Sequence, residues 1–165
     1  MTIQIGDRIP DCAVQIIGGA PPLHNTSDLF ASRKTVLFGV PGAFTPTCSN
    51  EHLPGYTHHF DEFKQSDIQV ICMAVNDTYV MQAWASSQHV PPDMLMLADG
   101  NGEFTQALGL EFDGAKFGMG LRARRFALFA ENGVVKLLHI EAPGELRVST
   151  AEAMLVAISK LTAIA

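Results

Sequence analysis

Residues Ile68-Gln69-Val70-Ile71-Cys72-Met73-Ala74-Val75 are almost uninterrupted in apolar character and rich in β-branched side chains. Such a run predicts a strand covered on both faces, in the middle of a sheet. Thr35 to Val40 predicts a second, central strand, and Cys12 to Ile17 and Met94 to Leu97 predict shorter ones. The first short strand leads through a turn at Gly18-Gly19-Ala20-Pro21-Pro22 to a brief return at Leu23-His24. Arg125 to Ala130 and Val134 to Ile140 read as a hairpin, because Glu131-Asn132-Gly133 contains the Asn-Gly pair that accepts positive φ. Elsewhere the apolar period is that of a helix. Leu53, Tyr56, Phe60 and Phe63 recur at three- and four-residue steps, with a kink expected at Pro54-Gly55. Asn76-Asp77 caps a helix through Val80, Trp84 and Ala85 that Pro91-Pro92 bars from extending. Thr26 to Phe30 reads as a capped single turn, and Asp99-Gly100-Asn101-Gly102 leads to a short helix over Phe104 to Leu108. Gly114 to Gly120 reads as a loop. Ser149-Thr150-Ala151-Glu152 reads as a capping box for a last helix that buries Met154, Leu155, Ile158 and Leu161. Strands alternating with helices, then a hairpin, then a helix, describe an α/β chain of mixed parallel and antiparallel pairing, expected to form one domain over residues 1–165.

Composition narrows the function. Hydrophobic residues make up 47% and charged residues 17% of 165, enough apolar surface for a substantial core. A net charge of -6 weighs against nucleic acid or an anionic membrane as the main partner. No apolar run approaches the roughly 20 residues that span a bilayer. Met1 to Asp7 lacks a basic region followed by a long apolar stretch, so the expectation is a soluble, cytoplasmic protein. Three cysteines, Cys12, Cys48 and Cys72, are an odd number without a C-x-x-C pair. That fits a reducing compartment and one reactive thiol better than a secreted disulfide framework.

The thiol with a chemical setting is Cys48. The strand ending at Val40 passes through Pro41-Gly42-Ala43-Phe44, and Thr45-Pro46 reads as an N-cap followed by a proline at the first helical position. Cys48 then falls in the first turn of a helix, where unpaired N–H groups and the positive end of the macrodipole favour a thiolate over a thiol. His52 lies one turn further on, close enough in sequence for a cysteine hydrolase to be a rival reading. Arg122, Arg124 and Arg125 are either a solvated basic patch or a source of guanidinium charge for the thiolate. His58 and His59 are adjacent and face apart on a helix, so with Cys48 and His52 they make no convincing tetrahedral set, and no metal or other cofactor is expected. Cys72, inside the most apolar strand, reads as a buried inert thiol, and Cys12 as structural.

Pro41-x-x-x-Thr45-x-x-Cys48 matches the active-site pattern of the peroxiredoxins. The run Pro41 to Ser49 with His52-Leu53-Pro54-Gly55 resembles the type II (atypical) subfamily of these AhpC/TSA-like thiol peroxidases. The resemblance continues through Val75-Asn76-Asp77, Gln82-Ala83-Trp84, Ala98-Asp99-Gly100, Arg124-Arg125-Phe126-Ala127 and Gly144-Glu145-Leu146. It implies a thioredoxin-like fold, a central mixed β-sheet flanked by helices, and reduction of hydrogen peroxide and small organic hydroperoxides through a Cys48 sulfenic acid. It further implies that the Thr45 hydroxyl bonds peroxide and sulfur, that Pro41 shields the thiolate, and that Arg125, with Arg124 as fallback, is the active-site arginine. His52 takes a supporting role, and the loop Phe112 to Gly120 shapes the pocket. Some type II relatives are viewed as resolving the oxidised nucleophile with a cysteine at the place of Cys72. Others use one near the last helix, where this chain reads Leu146-Arg147-Val148-Ser149, with Val148 in that region. The expected reductant is therefore glutathione with glutaredoxin, and a Cys48–Cys72 disulfide recycled by thioredoxin is the alternative. A homodimer is expected, and a non-catalytic peroxide sensor is the rival from another class.

Overall fold

The computed structural model describes residues 1–18 and 23–164, so the turn expected over 18–22 lies, from residue 19 on, outside the described residues. In chain order the elements are β1 (Ala13–Ile16), β2 (Leu23–Asn25), α1 (Thr26–Phe30), β3 (Lys34–Gly39), a π-helical turn (Cys48–His52) running into α2 (Leu53–His58), α3 (Phe60–Gln65), β4 (Ile68–Ala74) and α4 (Thr78–Ser87). There follow β5 (Leu95–Ala98), α5 (Glu103–Leu108), β6 (Glu111–Asp113), a 3-10 turn (Ala115–Phe117), β7 (Leu121–Ala123), β8 (Phe126–Glu131), β9 (Val134–Ile140) and α6 (Ala151–Ile164).

Seven strands form one mixed sheet in the order β2-β1-β5-β4-β3-β8-β9, with β4 at its centre as its unbroken apolar run requires. β3, β4 and β5 are parallel, while β8 joins β3 and β1 joins β5 in antiparallel fashion. The period of two along a strand divides the core into two layers. Val36, Phe38, Val70, Cys72, Ala127 and Phe129 face Leu53, Tyr56, Phe63, Trp84 and Met154 of the helices on one side. Leu37, Ile71, Met73 and Leu128 face Phe30, Phe104 and Leu108 on the other. The β8–β9 hairpin turns at Asn132 and Gly133, whose φ angles of 49° and 76° are the positive values the Asn-Gly pair was expected to supply. No described helix is long and apolar enough to cross a membrane.

Two local expectations are corrected and two are made more exact. The helix that carries Cys48 does not end at Pro54-Gly55, where a kink was expected. It is widened just before them, where the Leu53 N–H donates to the Cys48 carbonyl five residues back, and it breaks just after them, at His59 between α2 and α3. Proline has no N–H to give the preceding turn and its ring crowds the carbonyl there, so a widened turn upstream accommodates it. The capping box at Ser149 does not form either. Thr150 caps α6, its hydroxyl accepting from the Ala153 N–H at 3.1 Å, because the Ser149 hydroxyl and N–H both donate to Glu141. Thr26 does not cap α1; its hydroxyl donates to the Pro10 carbonyl and accepts from the Cys12 N–H. The segment over 114–120 is a loop as expected, with a single 3-10 turn, and it forms the tip of a β6–β7 ribbon whose strands are too short to show alternation in the sequence.

Candidate active site

The site is built where β3 ends. A methyl group on Gly39 would drive into the ring of Phe126. The bare glycine therefore lets β8 start hard against the end of β3, which brings Arg125, one residue before Phe126, over the chain that leaves the sheet. That chain turns sharply: Phe44 takes φ of 65°, a strained value for a side chain of its size. Asn76 holds the turn from the end of β4, its Oδ1 accepting from the Ala43 N–H at 3.0 Å. The Thr45 carbonyl accepts from the Ser49 N–H at 2.9 Å, so Thr45 occupies the N-cap position with Pro46 as the first helical residue. Its hydroxyl does not cap the helix. It donates instead to the Gly42 carbonyl at 2.7 Å, which leaves its lone pairs available to accept.

Cys48 is fully buried in the first turn of this helix. The Arg125 guanidinium meets it with one arm, Nη2 donating to Sγ at 3.4 Å, and meets His52 with the other, Nη1 lying 3.0 Å from Nδ1. A guanidinium only donates, so His52 Nδ1 accepts and its proton is on Nε2. That Nε2–H donates to the Ser149 carbonyl at 3.0 Å, which also accepts from the Tyr56 hydroxyl at 2.7 Å. Burial, and then the charge of Arg125, pull the His52 pKa down to about 3. The imidazole is therefore neutral and in one tautomer at physiological pH. Neither ring nitrogen is free to take a proton from Cys48, which argues against a cysteine hydrolase.

Of the residues expected at the site, Cys48, Arg125 and His52 are brought together by direct contacts. Pro41, Thr47, Arg124 and Arg125 line a cavity of about 240 Å³ together with Phe112 and Phe117, from the segment 112–120 expected to shape the pocket. Arg122 packs on Gly42, where a β-carbon would lie 2.9 Å from its Nη1. Cys72 lies opposite Phe38 in the β3–β4 pairing, within the core layer that also holds Cys48. It is fully buried and unbonded, and burial, then Cys48, push its thiol pKa well above the ordinary value. Cys12 is a free, half-buried thiol beside β1. His59 lies between Glu62 and Glu152, at 2.6 and 3.0 Å, and among the described residues no three His, Cys, Asp or Glu side chains are grouped to hold a metal ion.

Sequence reasoning missed Asn76 as an anchor of the turn, having read it only as part of a helix cap. It also missed Tyr56, Ser149 and Glu141 as the setting of His52. Ser149 contacts His52 across 97 positions of chain, and no spacing rule reaches that far.

Comparison with known proteins places the chain among relatives. A model of the Redoxin family matches residues 4–155. Peroxiredoxin-2C of rice is 43% identical over 159 residues, covering 94% of this chain and 98% of that protein. Chloroplastic peroxiredoxin-2E of Arabidopsis thaliana is 43% identical over 163 residues, covering 95% and 70%. Prx3 of Vibrio vulnificus, whose structure was solved in complex with hydrogen peroxide, superposes with a TM-score of 0.88 at 45% identity over 94% of this chain and 99% of that one. Similarity of this extent, across the whole sheet and the segments that meet at Cys48, means that the chain belongs to the redoxin family as a type II peroxiredoxin, a thiol-dependent peroxidase on a thioredoxin-like fold.

Proposed function

We propose that Cys48 is the peroxide-reducing thiolate, that hydrogen peroxide and small organic hydroperoxides are its substrates, and that glutathione with glutaredoxin restores it. The observation that carries this reading is the Arg125 guanidinium, which spans Cys48 Sγ and His52 Nδ1. A permanent positive charge there stabilises the negative charge that grows on the departing oxygen. In the reaction the sulfur attacks one peroxide oxygen, an S–O bond forms as the O–O bond breaks, and the other oxygen leaves as water or an alcohol after gaining a proton. Cys48 becomes a sulfenic acid. Thr45, whose hydroxyl proton points to Gly42, accepts a hydrogen bond from the peroxide O–H. Pro41 walls the cavity with a rigid ring that keeps bulk water off the sulfur. The complex of the Vibrio Prx3 with hydrogen peroxide supports the choice of substrate.

For recycling, one glutathione thiolate attacks the sulfenic sulfur, releasing water and leaving a mixed disulfide, and a second thiolate then frees Cys48 with oxidised glutathione as the other product. An external thiol is favoured because the only partner within the same core layer, Cys72, is buried and held protonated in β4. Three free cysteines fit work in a reducing compartment such as the cytoplasm. The homodimer implied by the resemblance would cover Phe44 and Phe117, aromatic side chains left exposed at the rim of the site, and sedimentation equilibrium tests it.

The chemistry is tested by intact mass after one equivalent of hydrogen peroxide without reductant, for the wild type, Cys48→Ser and Cys72→Ser. Gain of oxygen that needs Cys48 and not Cys72 supports the reading. Loss of two hydrogens that needs both overturns the glutathione route in favour of a Cys48–Cys72 disulfide and thioredoxin, and turnover that survives Cys48→Ser overturns the whole.

A further inference from the structure

Glu141, immediately after β9, is a buried carboxylate that takes no part in the chemistry described above. It is 4% exposed. One of its oxygens accepts from the Ser149 hydroxyl and N–H, both at 2.7 Å, from the Arg147 N–H at 2.8 Å and from the Val148 N–H at 2.9 Å. The other oxygen is buried with no partner. Burial raises the pKa of this group, but the hydrogen bonds from Ser149, Arg147 and Val148 outweigh it and hold it below the ordinary value, so it stays ionised. Burying a carboxylate to tether an irregular segment is a costly solution, and the place where this one is used is informative. The segment it tethers ends at Ser149, whose carbonyl receives the His52 Nε2–H, and whose hydroxyl oxygen lies 3.4 Å from the same nitrogen. The backbone closes the circuit, since the Glu141 N–H donates to the Arg125 carbonyl at 3.0 Å.

We propose that Glu141 is a positioning residue for peroxide reduction: by fixing Ser149 it fixes His52 as the Nε2–H tautomer, and through His52 it fixes the guanidinium that faces Cys48. The inference rests on the reading of Cys48 and Arg125 given above. His52 can accept from Arg125 only while its proton is on Nε2, and that proton stays on Nε2 only while a well-placed carbonyl receives it. Release of residues 147–149 lets the imidazole take its proton on Nδ1, where it opposes a guanidinium N–H, and Arg125 must then swing from Cys48. A shift of that kind costs reactivity out of proportion to stability, because the arginine acts through orientation.

The test compares wild type, Glu141→Ala and Glu141→Gln by stopped-flow oxidation with hydrogen peroxide, KM for the reductant, and 15N spectra of the histidine rings at neutral pH. Glutamine retains an oxygen that can accept from residues 147–149, so the conservative variant discriminates an acceptor role from a charge effect. Expected are a fall of about 10-fold or more in the peroxide rate for Glu141→Ala, loss of the pure Nε2–H signal of His52, an unchanged KM for reductant, and recovery of rate and tautomer in Glu141→Gln. A folded Glu141→Ala with wild-type rate and tautomer overturns the proposal, as does a slow Glu141→Gln that keeps the Nε2–H form. If the alanine variant does not fold, Glu141→Asp, which withdraws the carboxylate by one methylene, is read by the same criteria. A wild type that fails to consume peroxide defeats the earlier reading of the site, a result separate from either of these.

Discussion

Acidification bears directly on His52. Its pKa is about 3 in the fold, against about 6.5 for an unperturbed imidazole in the unfolded chain. Because the folded value is lowered, the associated stability is fully present above about pH 6.5 and is lost as pH falls from there toward about pH 3, the unfolded chain binding a proton that the native state refuses. At pH 5 the loss is about 1.5 pH units at 1.36 kcal/mol each, or roughly 2 kcal/mol. The assay is urea unfolding at pH 7.5 and pH 5 for the wild type and His52→Gln, followed by the fluorescence of Trp84. This is the chain's one tryptophan, fully buried, with its indole N–H bonded to Ser49 beside Cys48 at 3.0 Å. His59, whose pKa its hydrogen bond to Glu62 raises, acts in the opposite direction, losing stability as pH rises. It is common to both proteins and cancels in the difference, as do Glu141 and Glu152. The wild type is expected to lose about 2 kcal/mol more than His52→Gln between the two pH values, with equal m-values. Equal losses in the two proteins refute the argument that the imidazole is held neutral by burial and Arg125.

Arg125→Lys is expected to lower the peroxide rate by about 100-fold with little change in unfolding midpoint, since one ammonium cannot reach both Cys48 and His52, and stopped-flow oxidation measures it. Gly39→Ala, which sets a methyl group into the Phe126 ring, is expected to cost about 3 kcal/mol or more by overpacking and to displace Arg125, so that urea stability and peroxide rate fall together. Asp77→Ala removes the carboxylate that accepts from the Val80 N–H at 2.9 Å and is expected to cost about 1 kcal/mol of unfolding free energy with the peroxide rate unchanged.

Much of the architecture was legible along the chain because it is local. The β-branched run of β4 can be satisfied only inside a sheet, Asn132-Gly133 can accept the backbone of a tight hairpin, and Asp77 caps whichever helix follows it. Thr45-Pro46 likewise starts a helix wherever the chain is placed, and so puts Cys48 in a first turn. The misplaced details mark where local preference meets a tertiary competitor. Ser149 is as good a cap as Thr150, and it lost that role because the Glu141 carboxylate took its hydroxyl and N–H. The β6–β7 ribbon was missed because its strands are too short for a period to register.

By itself the sequence determined the strands of the main sheet and the helices that cover it, which cysteine sits at a helix start and, through ordered motifs, which family they resemble, since each of these depends on residues a few positions apart. Only the tertiary structure decided that the Arg125 guanidinium divides between Cys48 and His52, that the Thr45 hydroxyl turns to Gly42, that Cys72 is sealed in the core, and that Glu141 and Ser149 stand behind His52. Those contacts join a helix, strand ends and a loop separated by up to 97 positions of chain. Their geometry follows from how the sheet packs and from the single orientation that satisfies every buried donor and acceptor at once.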